Sequence, residues 1–217
     1  MAPLTTFHIG GRAEYFAETT GALELAEAFE YAEAHRLPVR ILGGGSNVIF
    51  PDAGFAGLII QMRDGGIRVS GERRLCGAGV TLFDVVRTAA AAGLAGIERL
   101  AGIPGSLGGA VRGNAGAFGT EIGERVVSVK VFIQDTGMVK EYKQNACEFG
   151  YRTSVFKKNP ELIILSAELK LTAGDTDELE RIISGTVAMR EAKHPQDVKC
   201  AGSFFINPVV KDERLRQ

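Results

Sequence analysis

The sequence predicts an α+β protein made of two units that occupy most of its 217 residues. One observation is a helical pattern over residues 20–36, followed by a short β-type run at 39–42. A second is the change after residue 62 to hairpins and separate helices. A third is the hydrophobic fraction of 45%, which is too high for a disordered chain and sufficient for a substantial core.

The first unit is predicted to alternate strands with one helix. Thr20 is available as the cap of that helix, and apolar residues recur along one of its faces, at Leu25, Ala28, Phe29 and Ala32. The strands are recognised as short apolar runs between glycine or proline turns. They are a strand pair within 5–18 around Gly10-Gly11, and single strands at 39–42, 48–50 and 58–60.

The second unit, residues 63–195, is predicted to combine hairpins with helices. Thr81, with Asp84 three residues later, resembles a capping box, and Gly93 follows the helix that this pair would start. The other predicted elements are hairpins at 67–70 with 74–78 and at 126–133 with 137–142, a strand at 162–171, and helices at 105–112 and from Asp175 or Thr176 to about Lys193. Residues 196–217 are too few to form a domain by themselves.

The composition argues against several classes of function. The net charge of −1 disfavours a protein that holds nucleic acid or an acidic membrane surface. No apolar run approaches the roughly 20 residues of a membrane-spanning helix, and the first residues lack the pattern of a secretory signal. The three cysteines, Cys76, Cys147 and Cys200, are widely spaced, so we expect a reducing compartment, the cytoplasm, and no metal site.

Glycine is unusually abundant, with 28 residues, or about 13% of the chain against an average near 7%. The first cluster, residues 43–47, reads Gly-Gly-Gly-Ser-Asn between two predicted strands. Successive glycines let backbone N–H groups converge on an anion, and Ser46 and Asn47 add side-chain donors, so the segment suits a pyrophosphate. It lacks the spacing of a P-loop or a Rossmann fingerprint, and a sharp turn between two strands explains the same residues equally well.

A second glycine cluster runs from residue 102 to residue 119 and includes the short predicted helix at 105–112. Small residues there would allow close packing against a flat ligand or against another backbone. A glycine-rich loop that packs for its own sake is the alternative interpretation. Two such clusters with few basic residues nearby favour a large diphosphate ligand over inorganic phosphate.

Four segments carry a more specific resemblance. In chain order they are LGGGSNVIF, GIERLAGIPGSLGGAVRGNAGAFG, FGYRTSVFK and CAGSFFINP. Together with the opening TTFHIGGRAEYF, they resemble the MurB family, the UDP-N-acetylenolpyruvoylglucosamine reductases of peptidoglycan precursor synthesis. The resemblance covers nearly the whole chain. Four motifs in one order are much more specific than a GGGSN-type loop alone, which occurs across the vanillyl-alcohol-oxidase-like flavoproteins.

The resemblance implies a two-subdomain FAD-binding fold of the vanillyl-alcohol-oxidase/PCMH type, with FAD bound non-covalently between the subdomains. It implies FAD-binding subdomains at 1–62 and 63–195, and only the start of a third, substrate-binding subdomain at 196–217. The implied cofactor-binding residues lie in the two glycine clusters. They are Gly43, Gly44, Gly45, Ser46 and Asn47, then Ile103, Gly105, Ser106, Gly109, Asn114 and Gly116.

The resemblance also implies an activity, in which NADPH reduces FAD and the reduced flavin converts UDP-N-acetylglucosamine enolpyruvate to UDP-N-acetylmuramate. Charge develops on the substrate carboxylate, and Arg152, in the segment YRTS, matches the family's catalytic arginine. Ser203 matches the serine that protonates the α-carbon. The implied partner is a small UDP-sugar substrate, without nucleic acid, membrane or metal.

Two departures from the family pattern keep alternatives open. The chain extends only 14 residues beyond Ser203, so the family's late catalytic glutamate has no match, and Glu213 receives no role. Ile206 stands where the family commonly has lysine, which removes a positive charge near an anionic substrate. The alternatives to an active reductase are an FAD-binding protein of the same fold with incomplete or lost activity, and another flavin oxidoreductase of the superfamily.

Overall fold

The computed structural model describes residues 1–193 and 199–202. Its first unit contains one helix and three strands, which are β1 (Ala13–Thr19), α1 (Ala22–Ala34), β2 (Val39–Leu42) and β3 (Phe55–Met62). The strands lie in the order β1-β3-β2, and both pairings are parallel. The central strand β3 is buried along residues 58–62, as expected for a parallel strand covered on both faces.

The second unit is built on a five-stranded antiparallel sheet. Its elements are β4 (Ile67–Ser70), β5 (Arg73–Gly77), α2 (Leu82–Ala91), β6 (Leu94–Ala95), α3 (Leu107–Arg112), β7 (Gly116–Ala117), β8 (Thr120–Glu121), β9 (Val126–Ile133), β10 (Met138–Lys143), α4 (Val155–Lys158), β11 (Leu162–Lys170), β12 (Thr172–Ala173) and α5 (Thr176–Lys193). The sheet order is β10-β9-β11-β5-β4, and β6 with β12 and β7 with β8 form two small ladders. Within the described ranges, every helix is too short or too polar to cross a lipid bilayer.

Three sequence predictions about the first unit are wrong. No strand pair forms within 5–18, because β1 begins at Ala13 and pairs with β3, which is distant in sequence. The segment 48–50 is a loop rather than a strand, and it buries Phe50 in a small apolar cluster without joining a sheet. The N-cap of α1 is Gly21, since the hydroxyl of Thr20 donates to Glu24 Oε2 at 3.0 Å instead of capping the helix.

The predicted hairpins and helices of the second unit are confirmed. The β4–β5 and β9–β10 pairs are antiparallel hairpins, and β11 lies between them in the sheet. Thr81 caps α2 by accepting the Asp84 N–H at 3.0 Å, and Gly93 follows this helix with a φ of +64°. Asp175 Oδ1 accepts the Glu178 N–H at 2.9 Å, which caps α5 in the same way.

The two units share an apolar junction formed by α1. One face of the five-stranded sheet packs with α2, α3 and α5 to form the main core. On the other face, Phe132 belongs to a second core cluster with Leu25 of α1 and Ile60 of β3. The rings of Phe29 and Phe132 are stacked with centroids 5.9 Å apart. Burial at this junction therefore holds the parallel sheet at a defined place against the larger sheet.

The three cysteines differ strongly in solvent accessibility. Cys76 and Cys147 are buried and Cys200 is exposed, and burial raises the pKa of each buried thiol to about 11. Because the thiolate is the reactive form, we expect a disulfide-exchange reagent at pH 8 to modify only Cys200 rapidly in the native protein. Guanidinium should expose all three cysteines.

The measurement is the absorbance of the released aryl thiolate against time. The Cys200→Ser variant serves as the control and should lose the rapid phase. Fast native modification of Cys76 or Cys147 would contradict the described burial.

Candidate functional site

The two glycine clusters lie directly against each other. A methyl group added at Gly44 would come within 2.7 Å of Gly105 Cα, and one added at Gly43 would collide with Ser106 Oγ. These approaches are too short for a Cβ atom, so the contact requires glycine at both positions. The hydroxyl of Ser46 also donates to Pro104 O at 2.9 Å. The turn after β2 is thereby attached to the segment that starts α3.

Two further segments surround the 43–47 loop. Thr6 donates its backbone N–H to Gly45 O at 3.1 Å and its hydroxyl to Cys200 O at 2.8 Å. A methyl group added at Gly202 would lie 2.9 Å from a carbonyl oxygen of this loop. The N-terminal residues and the 199–202 segment therefore both pack onto the loop, although they are far apart in the sequence.

Several backbone N–H groups of the 43–47 loop are available for hydrogen bonding to a ligand. Within the described part of the chain, the N–H groups of residues 44–47 have no hydrogen-bond acceptor. Gln61 is buried, with an exposed fraction of 5%, and its Nε2 donates to Gly43 O at 3.0 Å, which holds the start of the loop. Consecutive N–H groups, two of them on the glycines Gly44 and Gly45, suit a phosphate oxygen. The loop therefore fits a cofactor that carries phosphate.

The 103–109 segment continues this surface along α3. The hydroxyl of Ser106 caps the helix by accepting the Gly109 N–H at 3.4 Å. Gly108 donates its N–H to Ala78 O at 2.9 Å, and a methyl group added there would lie 2.9 Å from Ala78 Cβ. Ile103 packs against the main core, whereas Gly109 is exposed. Close packing behind the segment thus leaves part of its glycine backbone open to a ligand.

Arg152 lies at the opposite end of α3. Its Nη2 donates to Gly116 O at 2.7 Å and its Nη1 to Asn114 O at 3.5 Å. The ring of Tyr151 lies 5.1 Å from the guanidinium carbon. Arg152 has a φ of +57°, a left-handed conformation that is unfavourable for a residue with a side chain and that is frequent at functional sites.

The structure therefore brings the predicted residues together in two groups joined by one helix. The 43–47 loop contacts Gly105 and Ser106 before α3, and Arg152 contacts Asn114 and Gly116 after it. The helix α3 between the two groups has six residues and is about 9 Å long. Ser203, the other predicted catalytic residue, lies outside the described residues.

Two residues near the site were missed by the sequence analysis. Gln61 interrupts the apolar run LIIQM of a buried strand, which was a recognisable signal for a polar role. Glu121 accepts from Asn114 Nδ2 at 2.7 Å. No sequence pattern pointed to Glu121, because its contact with Asn114 forms only when the β7–β8 ladder folds back towards the end of α3.

A comparison with protein families gives a match over more than half of the chain. The model of a family described as an FAD-binding domain matches residues 13–142. This range includes both glycine clusters and ends in β10. The match shows that the cofactor of this domain is FAD.

Two longer proteins match almost the entire chain. The UDP-N-acetylenolpyruvoylglucosamine reductase of Solibacter usitatus is 43% identical over 208 residues, which are 96% of this chain and 66% of that protein. The crystal structure of UDP-N-acetylenolpyruvylglucosamine reductase (MurB) from Thermus caldophilus has a TM-score of 0.79 and 33% identity, covering 95% of this chain and 73% of that one. The chain thus spans about two thirds of the length of the curated relative.

A more distant structure shows how widely the fold is shared. The 6-hydroxy-D-nicotine oxidase of Arthrobacter nicotinovorans has a TM-score of 0.56 with 20% identity, over 75% of this chain and 37% of that one. At this identity the likeness concerns the fold alone. Together with the family match, it confirms the predicted α+β FAD-binding fold of the vanillyl-alcohol-oxidase/PCMH type.

The contact between the glycine clusters generates a second prediction. We expect Gly44→Ala to weaken FAD binding by roughly tenfold or more, because its methyl group forces Gly105 and the 43–47 loop apart. Binding is measured by the quenching of flavin fluorescence on titration of the apoprotein.

Gly185→Ala is the matched control, since that position lies in α5 and a methyl group there meets no atom within 4 Å. The control should retain FAD affinity and gain roughly 0.5–1 kcal/mol of stability from the better helix propensity of alanine. Equal FAD affinity in Gly44→Ala and the control would show that the contact between the clusters does not support the cofactor site.

Proposed function

Because the chain belongs to the UDP-N-acetylenolpyruvoylglucosamine reductase family, we propose that it uses NADPH and bound FAD to reduce UDP-N-acetylglucosamine enolpyruvate to UDP-N-acetylmuramate. The reaction would take place in the cytoplasm, as a step in peptidoglycan precursor synthesis. The observation that supports it best is the placement of Arg152 at one end of α3 and of the cofactor loops at the other. In this arrangement Arg152 would provide a cation near the proposed cofactor surface.

The proposed cofactor site uses backbone rather than charged side chains. The N–H groups of residues 44–47 would bind the diphosphate, and the segment 103–109 would lie along the flavin. Bound FAD would supply the hydride chemistry between NADPH and the enolpyruvyl group. The two subdomains predicted at 1–62 and 63–195 would then meet at the cofactor, since each contributes one of the two loops.

Arg152 would bind the substrate carboxylate and stabilise the charge that develops there. A guanidinium has five N–H donors, and Arg152 donates two hydrogen bonds, to Asn114 O and Gly116 O. The other donors have no acceptor within the described part of the chain. A permanently charged planar group that is already oriented suits a carboxylate whose charge grows during reduction.

Ser203 would donate the proton that the α-carbon requires. A serine hydroxyl is a weak acid, so the role depends on a strongly basic intermediate and on close positioning. The role is supported by the preceding described residue, Gly202, which packs against Ser46 O of the 43–47 loop. We expect Ser203→Ala to slow incorporation of solvent deuterium at the α-carbon, measured by mass spectrometry of the product, while reduction of FAD by NADPH is retained. Unchanged incorporation would assign the proton to another donor.

The proposed function is tested by following the two half-reactions separately. The protein is reduced with NADPH under anaerobic conditions and mixed with UDP-N-acetylglucosamine enolpyruvate while the flavin absorbance is recorded. Recovery of oxidised flavin supports an active reductase. Retention of FAD without recovery supports the alternative of a flavin-binding protein without this activity, and failure to bind FAD contradicts both.

Removal of the Arg152 side chain should slow one half-reaction far more than the other. We expect Arg152→Ala to slow flavin reoxidation by the enolpyruvyl substrate roughly 100-fold to 1000-fold, because the developing carboxylate charge loses its partner. Reduction by NADPH should change little. Arg181→Ala is the control, since Arg181 is exposed on α5 and its Nε donates to Asp177 O within the same helix. Equal losses in both half-reactions would contradict the role of Arg152.

A further inference from the structure

The side chain of Asn114 is fully engaged inside the protein. Its Nδ2 donates to Glu121 Oε2 at 2.7 Å and to Gly150 O at 3.0 Å, and its Oδ1 accepts the Gly123 N–H at 2.9 Å. Its exposed fraction is 1%. Both N–H groups of the amide are therefore used, and no side-chain donor is left for a ligand.

One of these hydrogen bonds reaches the turn that carries Arg152. Gly150 and Thr153 exchange two backbone hydrogen bonds, each 3.1 Å long, and Arg152 lies between them. By holding Gly150 O, Asn114 fixes the first residue of this turn. On the other side of Arg152, the buried hydroxyl of Ser154 donates to Arg112 O at 2.7 Å. The turn is thus attached to the end of α3 both before and after Arg152.

Two residues of this region have strained backbone conformations. Asn114 and Arg152 have φ values of +44° and +57°, both in the left-handed region. Asparagine tolerates this conformation better than arginine does. An arginine stays in it only where surrounding contacts determine the backbone, and the hydrogen bond from Asn114 to Gly150 is such a contact.

We propose that Asn114 is a positioning residue for Arg152, and that Glu121 fixes the orientation of the Asn114 amide. The inference rests on the function proposed for Arg152 and gives Asn114 an indirect role in place of the direct cofactor contact expected from its motif. The carboxylate of Glu121 requires a donor, so it directs Nδ2 towards itself and Gly150, and Oδ1 towards Gly123.

The same segment holds the guanidinium itself. Asn114 O and Gly116 O accept from Nη1 and Nη2 of Arg152, so the head and the backbone of this arginine are bound to one short stretch of chain. Loss of the Asn114 side chain releases the turn while leaving both carbonyl acceptors in the sequence. The expected defect is a misplaced Arg152, and a displacement of about 1 Å at a reacting group can cost roughly 100-fold in rate.

A double-mutant cycle on flavin reoxidation tests this dependence. We expect Asn114→Ala to slow reoxidation by the enolpyruvyl substrate roughly 10-fold to 100-fold, with reduction by NADPH within about twofold of the unmodified protein. Added to Arg152→Ala, the same substitution should slow reoxidation no further, because Asn114 acts through that arginine. An additional loss as large as in the single variant would overturn the proposal.

A second measurement does not depend on activity. ¹⁵N relaxation of the Arg152 Nε–Hε signal, assigned by its absence in Arg152→Lys, reports the motion of the guanidinium in the FAD-loaded protein. We expect a rigid signal in the unmodified protein and a mobile one in Asn114→Ala. Glu121→Gln should stay rigid, since its amide oxygen still accepts from Nδ2, and Asn159→Ala is a control that removes a hydrogen bond to Val155 O only.

The outcomes separate the two proposals. If the unmodified protein fails to reoxidise its flavin, the proposed function is overturned, and the relaxation measurement still decides the role of Asn114. If Arg152 is equally rigid in Asn114→Ala, the positioning role is overturned. Should Asn114→Ala fail to fold, Glu121→Ala removes the acceptor that orients the amide, and the same gain in motion is expected.

Discussion

The structure of the site depends on the close approach of two backbones. Gly44 lies so near Gly105 that a single methyl group would separate them, and this contact joins the end of the parallel sheet to the start of α3. A separate apolar junction, at Phe132 and α1, also packs the two units against each other. Packing brings the units together, and the absence of Cβ atoms sets how closely their loops meet.

The helix α3 connects this contact to the segment that binds Arg152. Its first turn is fixed by Ser106 and by backbone hydrogen bonds to residues 78–80, and its end continues into the segment that accepts from the guanidinium. Because α3 has only six residues, a short helical connection joins Arg152 to the loops proposed to bind the cofactor. Such a short connection between the proposed binding and reacting groups would favour a preorganised site.

Local signals in the sequence predicted the second unit well. The hairpins, the Thr81 cap and α5 depend on residues within a few positions of one another, and the structure confirms them. The parallel pairing of β1 with β3 joins residues about forty positions apart, which local patterns do not indicate. The hydrogen bond from Asn114 to Gly150 O joins residues 36 positions apart, so the sequence singled out both Asn114 and Arg152 without indicating the contact between Asn114 and the turn of Arg152.

The two interpretations of the first glycine cluster are compatible with each other. Gly43 and Gly44 are needed for packing against Ser106 and Gly105, as a tight turn would require. The same turn leaves the N–H groups of residues 44–47 without an acceptor in the described part of the chain, as an anion site would require. A backbone that is held rigid on one side and left unpaired on the other can bind phosphate with little rearrangement. The packing of the loop is therefore the reason that it can serve as a binding site.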